Sequence, residues 1–512
     1  MRDSKKIVYN LCLGLANQLL MIVLGIVLPR LVLTSYGSEV NGLINTVTQI
    51  YSYIALLEAG IGISTVQALY KSVGGGSKDD TNAILAATNY YYKRTGCFYL
   101  LAIAIFSAVF PLVVDTSIPR RTVALIIIFN GLGSVIGFFF QSKYLLLLQA
   151  EGKHYVQTIM NMVINVLKNV AKIVLMANGA DVVVVQTIGV GVGLLQMLWI
   201  YTYIRKRYRW IDLSVVPDYA SIAQSKNVLV HQISGLIFSN TDTIVLAVAC
   251  SLKTVSVYSL YALLIGMIGT ALSTVTSSVQ FSMGQTFHLD KVRYRKLFEC
   301  YETYYMALVF GLYSITYVFL LPFLKLYTQG VTDVEYLDPK LPFLFIFYHL
   351  LSSGRSACNQ TINVAGHFKL TQNRAIAESA INIVVSLLCV WRFGIYGVLM
   401  GTIAALLYRT NDMILYANRK ILGRNPWITY RRWLLNLALF VAVTVAGKWL
   451  FSFVALDSYF RIIGWAVVCC IVVIPLFFGA VSLCEREVFR FARQLLRPYW
   501  GKLREKLRLR HV

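Results

Sequence analysis

The sequence predicts an all-α polytopic membrane protein of about fourteen transmembrane helices, and three observations predict it. Hydrophobic residues make up 57% of the 512 and charged residues 14%, whereas a soluble domain carries roughly 25% charged residues. Apolar runs of about twenty residues, the length that crosses a bilayer, recur along the whole chain. Lysine and arginine collect in every second loop, the bias that sets orientation in a membrane. The mean hydropathy of +0.65 agrees with all three. A net charge of +24 therefore does not mark a nucleic-acid binder, because the cations sit between apolar spans rather than on one soluble face.

Taken in order, the expected spans are 7–31, 40–63, 91–114, 122–148, 155–177, 182–204, 222–249, 255–281, 302–323, 341–365, 371–392, 395–417, 432–453 and 460–483. Arg2-Asp3-Ser4-Lys5-Lys6 precedes an apolar run too long for a signal-peptide core and without a small-residue cleavage site, so a retained first span is expected. The loops on one side hold Lys71, Lys78, Lys153, Arg205, Arg293, Lys369 and Arg424 among others. The other side holds Arg120, Arg121, Lys253, Lys325 and Arg461, about 9 cations against about 34. By this bias both termini are expected in the cytoplasm, consistent with an even number of spans. The nine cysteines lie mostly in apolar spans without CxxC or metal-ligand spacing, so no metal is expected.

A weak repeat of about 215 residues runs through the first twelve spans. Ser35–Val40 matches Ser251–Val255, Gly152-Lys153-His154-Tyr155 matches Gly366-His367-Phe368-Lys369, and Gly179 with Thr187 matches Gly394 with Thr402. Six spans per unit is even, so the repeats are two parallel six-helix bundles related by a pseudo-two-fold along the membrane normal. The expected organisation is a first bundle over 1–212, a second over 213–425, an appended helix pair over 426–484 and a basic amphipathic cytoplasmic tail over 485–512. In that tail Arg486, Arg490, Arg493 and Arg497 alternate with Phe489, Leu495 and Trp500, the pattern of a helix lying on an anionic lipid surface.

Polar residues inside spans name the candidate site. In span ten Ser352, Arg355, Asn359 and Asn363 share one helical face, with Arg355 near mid-depth. In span five Gln157, Asn161, Asn165, Lys168 and Lys172 make one face polar along its length; Lys172 either lines the same face or snorkels outward. A buried guanidinium or ammonium facing lipid is costly, so these faces line a wet cavity or a helix contact. Asp242 either pairs with an interior cation or binds a coupling ion or proton. His231 in the same span is a core histidine or a proton relay, and Glu378, which shares a face with Asn382, is a further candidate for ion or proton coupling. Arg409 and Asp412, three residues apart, pair with each other. Arg30, the arginine of the first two spans, is interfacial or reads phosphate from the rim. Lys168, Arg355 and Arg409 outnumber unpaired anions, and a cavity of positive potential prefers an anionic substrate.

At these residues the chain resembles the polysaccharide and oligosaccharide flippases of the multidrug/oligosaccharidyl-lipid/polysaccharide exporter superfamily. The similar stretches are Tyr36-Gly37 through Leu56-Leu57-Glu58-Ala59-Gly60-Ile61-Gly62, Asn240-Thr241-Asp242-Thr243 with Val257-Tyr258-Ser259, and Gly366 to Thr402 with Ala380-Ile381-Asn382 and Gly394-Ile395-Tyr396-Gly397. The resemblance implies a central cavity open alternately to each face. It implies turnover of an undecaprenyl-diphosphate-linked oligosaccharide across a bacterial cytoplasmic membrane, for capsule, O-antigen or exopolysaccharide biosynthesis. Arg355 and Lys168 would then hold the diphosphate or acidic sugars, and a polysaccharide polymerase and chain-length machinery are the implied partners. The lipid II flippases of the same superfamily also have fourteen helices and stay open as an alternative. A cation-coupled multidrug-type exporter is the other alternative, although it should show unpaired carboxylates and few interior cations. Enzyme chemistry is not expected: the sequence has no GxxxxGK[ST] and no HExxH. No cofactor is expected beyond proton or sodium coupling, and no nucleic-acid partner.

Overall fold

The computed structural model describes residues 2–222, 240–495 and 497; among them helices are joined by short turns, without a strand. The helices are α1 (Arg2–Ile54), α2 (Leu56–Gly74), α3 (Lys78–Val113), α4 (Arg120–Ile136), α5 (Ser142–Ala150), α6 (His154–Ala177) and α7 (Val182–Arg207). After helical residues 240–249 come α8 (Leu252–Leu289), α9 (Lys291–Tyr327), α10 (Leu341–Gly354), α11 (Ser356–Val364), α12 (Phe368–Phe393), α13 (Ile395–Tyr416), α14 (Trp427–Phe451) and α15 (Tyr459–Cys484). Among the described residues ten helices are long and apolar enough to cross a membrane. Large apolar side chains lie outermost: Phe460 is 90% exposed, Trp391 75% and Leu388 74%. Water would drive such a surface to aggregate, whereas acyl chains match it, and helices satisfy their backbone without water. The chain is an all-α multi-pass membrane protein.

Several boundaries differ from those expected, each for a physical reason. The third and ninth expected spans begin at 91 and 302, yet α3 starts at Lys78 and α9 at Lys291. Hydropathy marks only the lipid-bathed length, and capped polar turns carry a helix on into water. Ser77 accepts from the Asp80 amide at 3.3 Å, and Asp290 from the Arg293 amide at 2.9 Å. The fourth span is not one α-helix: a π turn over Gly137–Gln141 joins α4 to α5. The first two spans share α1, whose direction changes at Gly37 (φ 84°). Asp333 caps the second arm, accepting from the Ser38 amide at 2.9 Å and its hydroxyl at 2.7 Å. The expected tenth span breaks at Arg355, which lies between α10 and α11 with φ −81° and ψ −6°.

The chain divides into two compact units. The first comprises Met1–Leu260, Gly330–Val334 and Ser386–Val398, and the second Tyr261–Gln329, Glu335–Val385 and Leu399–Val512. In the first, Leu69, Leu85, Leu147, Leu148, Met160 and Ile200 form a closed apolar cluster. In the second, α9 is the central post, with Tyr294, Phe298, Phe310, Tyr313 and Leu324 sealed from solvent.

The matched repeat stretches meet inside the first unit. Asn41 donates to Ser256 Oγ at 2.7 Å, across a separation of 215 residues. Beside them, a Cβ on Gly42 would lie 1.8 Å from the Leu252 carbonyl oxygen, so only glycine permits this crossing. Gly42→Ala is therefore expected to cost at least the roughly 1–3 kcal/mol of an overpacked core. Gly189→Ala, whose Cβ would meet nothing within 4 Å, is the neutral comparison, and thermal unfolding in detergent reads both. The other repeat matches are helix ends. Gly152, Gly179 and Gly366 all have φ near 70°, the left-handed conformation that terminates a helix. The Lys153 and His367 amides bond back to Leu148 and Ile362 in the same pattern.

Candidate functional site

Each unit holds its own set of membrane-embedded polar groups. In the second unit they form a ladder between α12 and α13. Arg374, Glu378 and Asn382 recur every four residues and so share one face of α12, while Thr402, Arg409 and Asp412 share one face of α13. The rungs follow from antiparallel pairing. Asn382 Nδ2 donates to Thr402 Oγ1 at 2.9 Å, Arg409 Nε lies 3.4 Å from Glu378 Oε2, and Arg374 pairs with Asp412. Arg409 also reaches Asp412 at 2.7 Å, the pairing that their spacing leads one to expect.

Arg355 joins this ladder from the break between α10 and α11. Its Nη1 lies 2.7 Å from Glu378 Oε1. The break lies against α14: a Cβ on Gly354 would meet the Trp433 ring at 2.4 Å, so glycine lets α14 pack beside the arginine. The result is an alternating row, Arg355–Glu378–Arg409–Asp412–Arg374. Three guanidinium groups against two carboxylates leave one surplus positive charge. The row is wetter at its ends than at its centre: Arg409 is 4% exposed, Arg355 14% and Arg374 37%. Asn359 is exposed and Asn363 half-buried on the α11 side of the break.

In the first unit the polar face of α6 meets α7. Gln196 donates to Asn161 at 3.2 Å, and Lys172 donates to Gln186 Oε1 at 3.2 Å. Half-buried Lys168 lies between these rungs with half-buried Asn165, and has no ion pair among the described residues. Lys172 thus faces a polar but uncharged partner. Lys172 is turned toward α7 rather than snorkelling free. Asp242 is buried and accepts from the Tyr258 hydroxyl at 2.9 Å; next to it Tyr53 bonds Thr241 at 2.7 Å. Arg30 is half-buried on α1 after Pro29, and its carbonyl accepts from Thr34 at 3.0 Å. His231 lies outside the described residues.

A second charge cluster in the second unit is absent from the sequence expectations. Glu302, 1% exposed, receives both Arg424 and Arg432, and Thr429 donates to it at 2.8 Å. Arg432 continues to Glu485 at 2.5 Å, and Arg431 reaches the same carboxylate at 3.2 Å. The arginines read as loop cations; the cluster fastens α14 and the segment after α15 to α9. One signal pointed to it. Glu302 enters an apolar helix with no cation three or four residues away, so its charge needed a distant partner. Among the described residues no group of three or more His, Cys, Asp or Glu is placed to hold a metal ion.

No protein-family model matches the sequence, and no curated protein sequence does. Solved structures do match in fold. A lipid II flippase, MurJ, in an inward closed conformation superposes over 94% of this chain and 100% of its own, with a TM-score of 0.68 and 12% identity. An inward-facing multidrug resistance MATE family transporter of the MOP superfamily matches over 79% of this chain and 94% of its own, with a TM-score of 0.57 and 14% identity. The MATE multidrug transporter DinF-BH matches over 81% and 97%, with a TM-score of 0.52 and 13% identity. The chain shares the fold of these membrane transporters.

Proposed function

We propose that this protein is a flippase of the MOP type that turns an anionic, lipid-linked substrate across the membrane by alternating access. The single observation carrying this reading is the surplus of cations inside the membrane-spanning helices. Among the described residues Lys168 and Lys172 have no carboxylate partner, and the Arg355–Arg374 row has one positive charge in excess. Such charges are costly in lipid unless a ligand neutralises them. A diphosphate suits them: arginine offers a two-pronged fork and lysine a point charge. The amides of Asn161, Asn165, Asn359 and Asn363 are hydrogen-bonding partners for sugar hydroxyls.

In this reading the substrate is an undecaprenyl-diphosphate-linked oligosaccharide repeat unit, moved from the cytoplasmic to the outer leaflet of a bacterial cytoplasmic membrane for surface polysaccharide synthesis. Both termini are cytoplasmic, and a polymerase consumes the product. Glu378 serves as the stand-in anion: it occupies Arg355 when no substrate is bound, and diphosphate displaces it. Asp242 and Glu378 are the acidic groups through which proton or sodium coupling would act. The lipid II reading is the second one, favoured by the superposition on MurJ over 94% of this chain and 100% of that one. The cation-exporting reading is disfavoured, because a site for cations needs uncompensated carboxylates where this one has uncompensated bases.

Deletion is expected to accumulate lipid-linked repeat units on the cytoplasmic leaflet and to leave drug tolerance unchanged. Loss of drug tolerance with normal surface glycan contradicts the proposal, and accumulation of lipid II instead selects the second reading. Within the site, Glu378→Gln should bind the diphosphate headgroup about tenfold more tightly, since Arg355 loses its competing carboxylate. Turnover should fall as release slows. Equal affinity for wild type and variant in a headgroup titration removes the displacement step.

A further inference from the structure

Away from the two polar sites, a groove of about 2200 Å³ opens in the second unit between α9, α15 and helical residues 486–495. Small-molecule pockets are roughly 300–1,000 Å³, so this space suits a longer ligand. Its inner wall is apolar and belongs to a membrane-crossing helix: Ile474, Phe478, Gly479 and Leu483 on α15, opposite Tyr304 of α9. Tyr304 is held there by a 2.9 Å hydrogen bond to Ser482 and an edge contact with Phe478 at 5.5 Å.

Where α15 ends at Cys484, arginines enter the lining within one turn, beside apolar Phe489, Ala492 and Leu495. Arg486, Arg490, Arg493 and Arg497 all line the groove, spaced four, three and four so that they share one helical face. None of them has an ion pair among the described residues, whereas the neighbouring Arg431 and Arg432 are held by Glu485. Glu487, the acidic residue of this segment, is not among the lining residues.

We propose that this groove is a discrete binding site for one anionic phospholipid. Its acyl chains lie along α15 and its phosphate is held by the arginine row. The change from apolar wall to unpaired arginines follows the change from acyl chain to phosphate in a phospholipid at the membrane surface. Arginine forks suit that phosphate. The site is separate from the proposed transport groups and does not depend on how they act.

The test uses the full-length protein in neutral detergent, titrated with fluorescent phosphatidylglycerol and, in parallel, fluorescent phosphatidylcholine. Two variants separate a built site from general attraction to charge. A Cβ at Gly479 would meet nothing within 4 Å, so Gly479→Trp starts from open space in the groove and leaves every arginine in place. Arg490→Gln/Arg493→Gln removes charge from exposed positions and leaves the groove open. The expected result is saturable binding of one phosphatidylglycerol, with phosphatidylcholine and both variants about tenfold weaker or worse. Unchanged binding in Gly479→Trp overturns the proposal, since the arginines would then act only as a charged surface. Equal binding of the two lipids overturns it as well. So does displacement by a polyglutamate peptide at matched concentration, which would assign the arginines to an acidic protein.

Discussion

Arg355→Ala and Lys168→Ala should each reduce surface glycan about ten- to hundredfold while protein abundance stays at the wild-type level. The size follows from one charge-assisted bond to diphosphate, about 1.5–3 kcal/mol. Unchanged abundance follows from the charge count. Removing Arg355 leaves Glu378 with Arg409 and Asp412 with Arg374 and Arg409, a balanced set. Removing Lys168 deletes a half-buried charge that has no counter-ion among the described residues, which relieves a desolvation cost. The two variants thus separate function from folding. Arg409→Ala would not, because buried Glu378 and half-buried Asp412 would both be left with poorer compensation. Normal glycan in both alanine variants, measured beside immunoblotted protein, would remove these residues from the substrate site.

The largest stability effect is expected at Glu302. Its carboxylate receives two arginines that are themselves buried, Arg424 fully and Arg432 at 4% exposed. Glu302→Ala takes the nearest carboxylate from two buried guanidinium groups: Arg432 keeps Glu485, while Arg424, stacked 4.7 Å from the Phe298 ring centre, keeps Glu299 at 3.5 Å. Breaking one side of a buried pair costs about 3–5 kcal/mol, a large share of the 5–15 kcal/mol that ordinarily separates folded from unfolded protein. Thermal unfolding in detergent should shift down sharply, and α14 should loosen first, because Arg432 and Thr429 lie on it. Adding Arg424→Met and Arg432→Met to a Glu302→Leu chain should recover much of the loss, since an all-apolar replacement leaves no orphan charge. A Glu302→Ala protein as stable as the wild type would show that the cluster contributes nothing.

The spans were legible because lipid imposes a simple rule of about twenty apolar residues between polar ends. That rule located the apolar stretches but not the true starts of α3 and α9, where capped charged turns continue a helix beyond the bilayer. Spacing along one helix was legible as well: Arg409 and Asp412, three apart, are paired. Pairing across helices was not. Glu378 reads as a coupling acid and Arg355 as an open cation, and nothing in their periodicity says that α10 and α12 place them 2.7 Å apart. The same blindness to register concealed Glu302 among Arg424 and Arg432. Nor does spacing along one helix show that Asp333 caps the second arm of α1 from 295 residues away.

Recognition of a diphosphate by surplus membrane-embedded cations is read out by flipping in proteoliposomes. The substrate is an undecaprenyl-diphosphate oligosaccharide labelled on its sugar, and the signal is exposure of that label to an impermeant quencher. Wild-type protein should move the label across, and Lys168→Ala/Arg355→Ala should leave it where it started. Transport by the double variant at the wild-type rate would contradict the account.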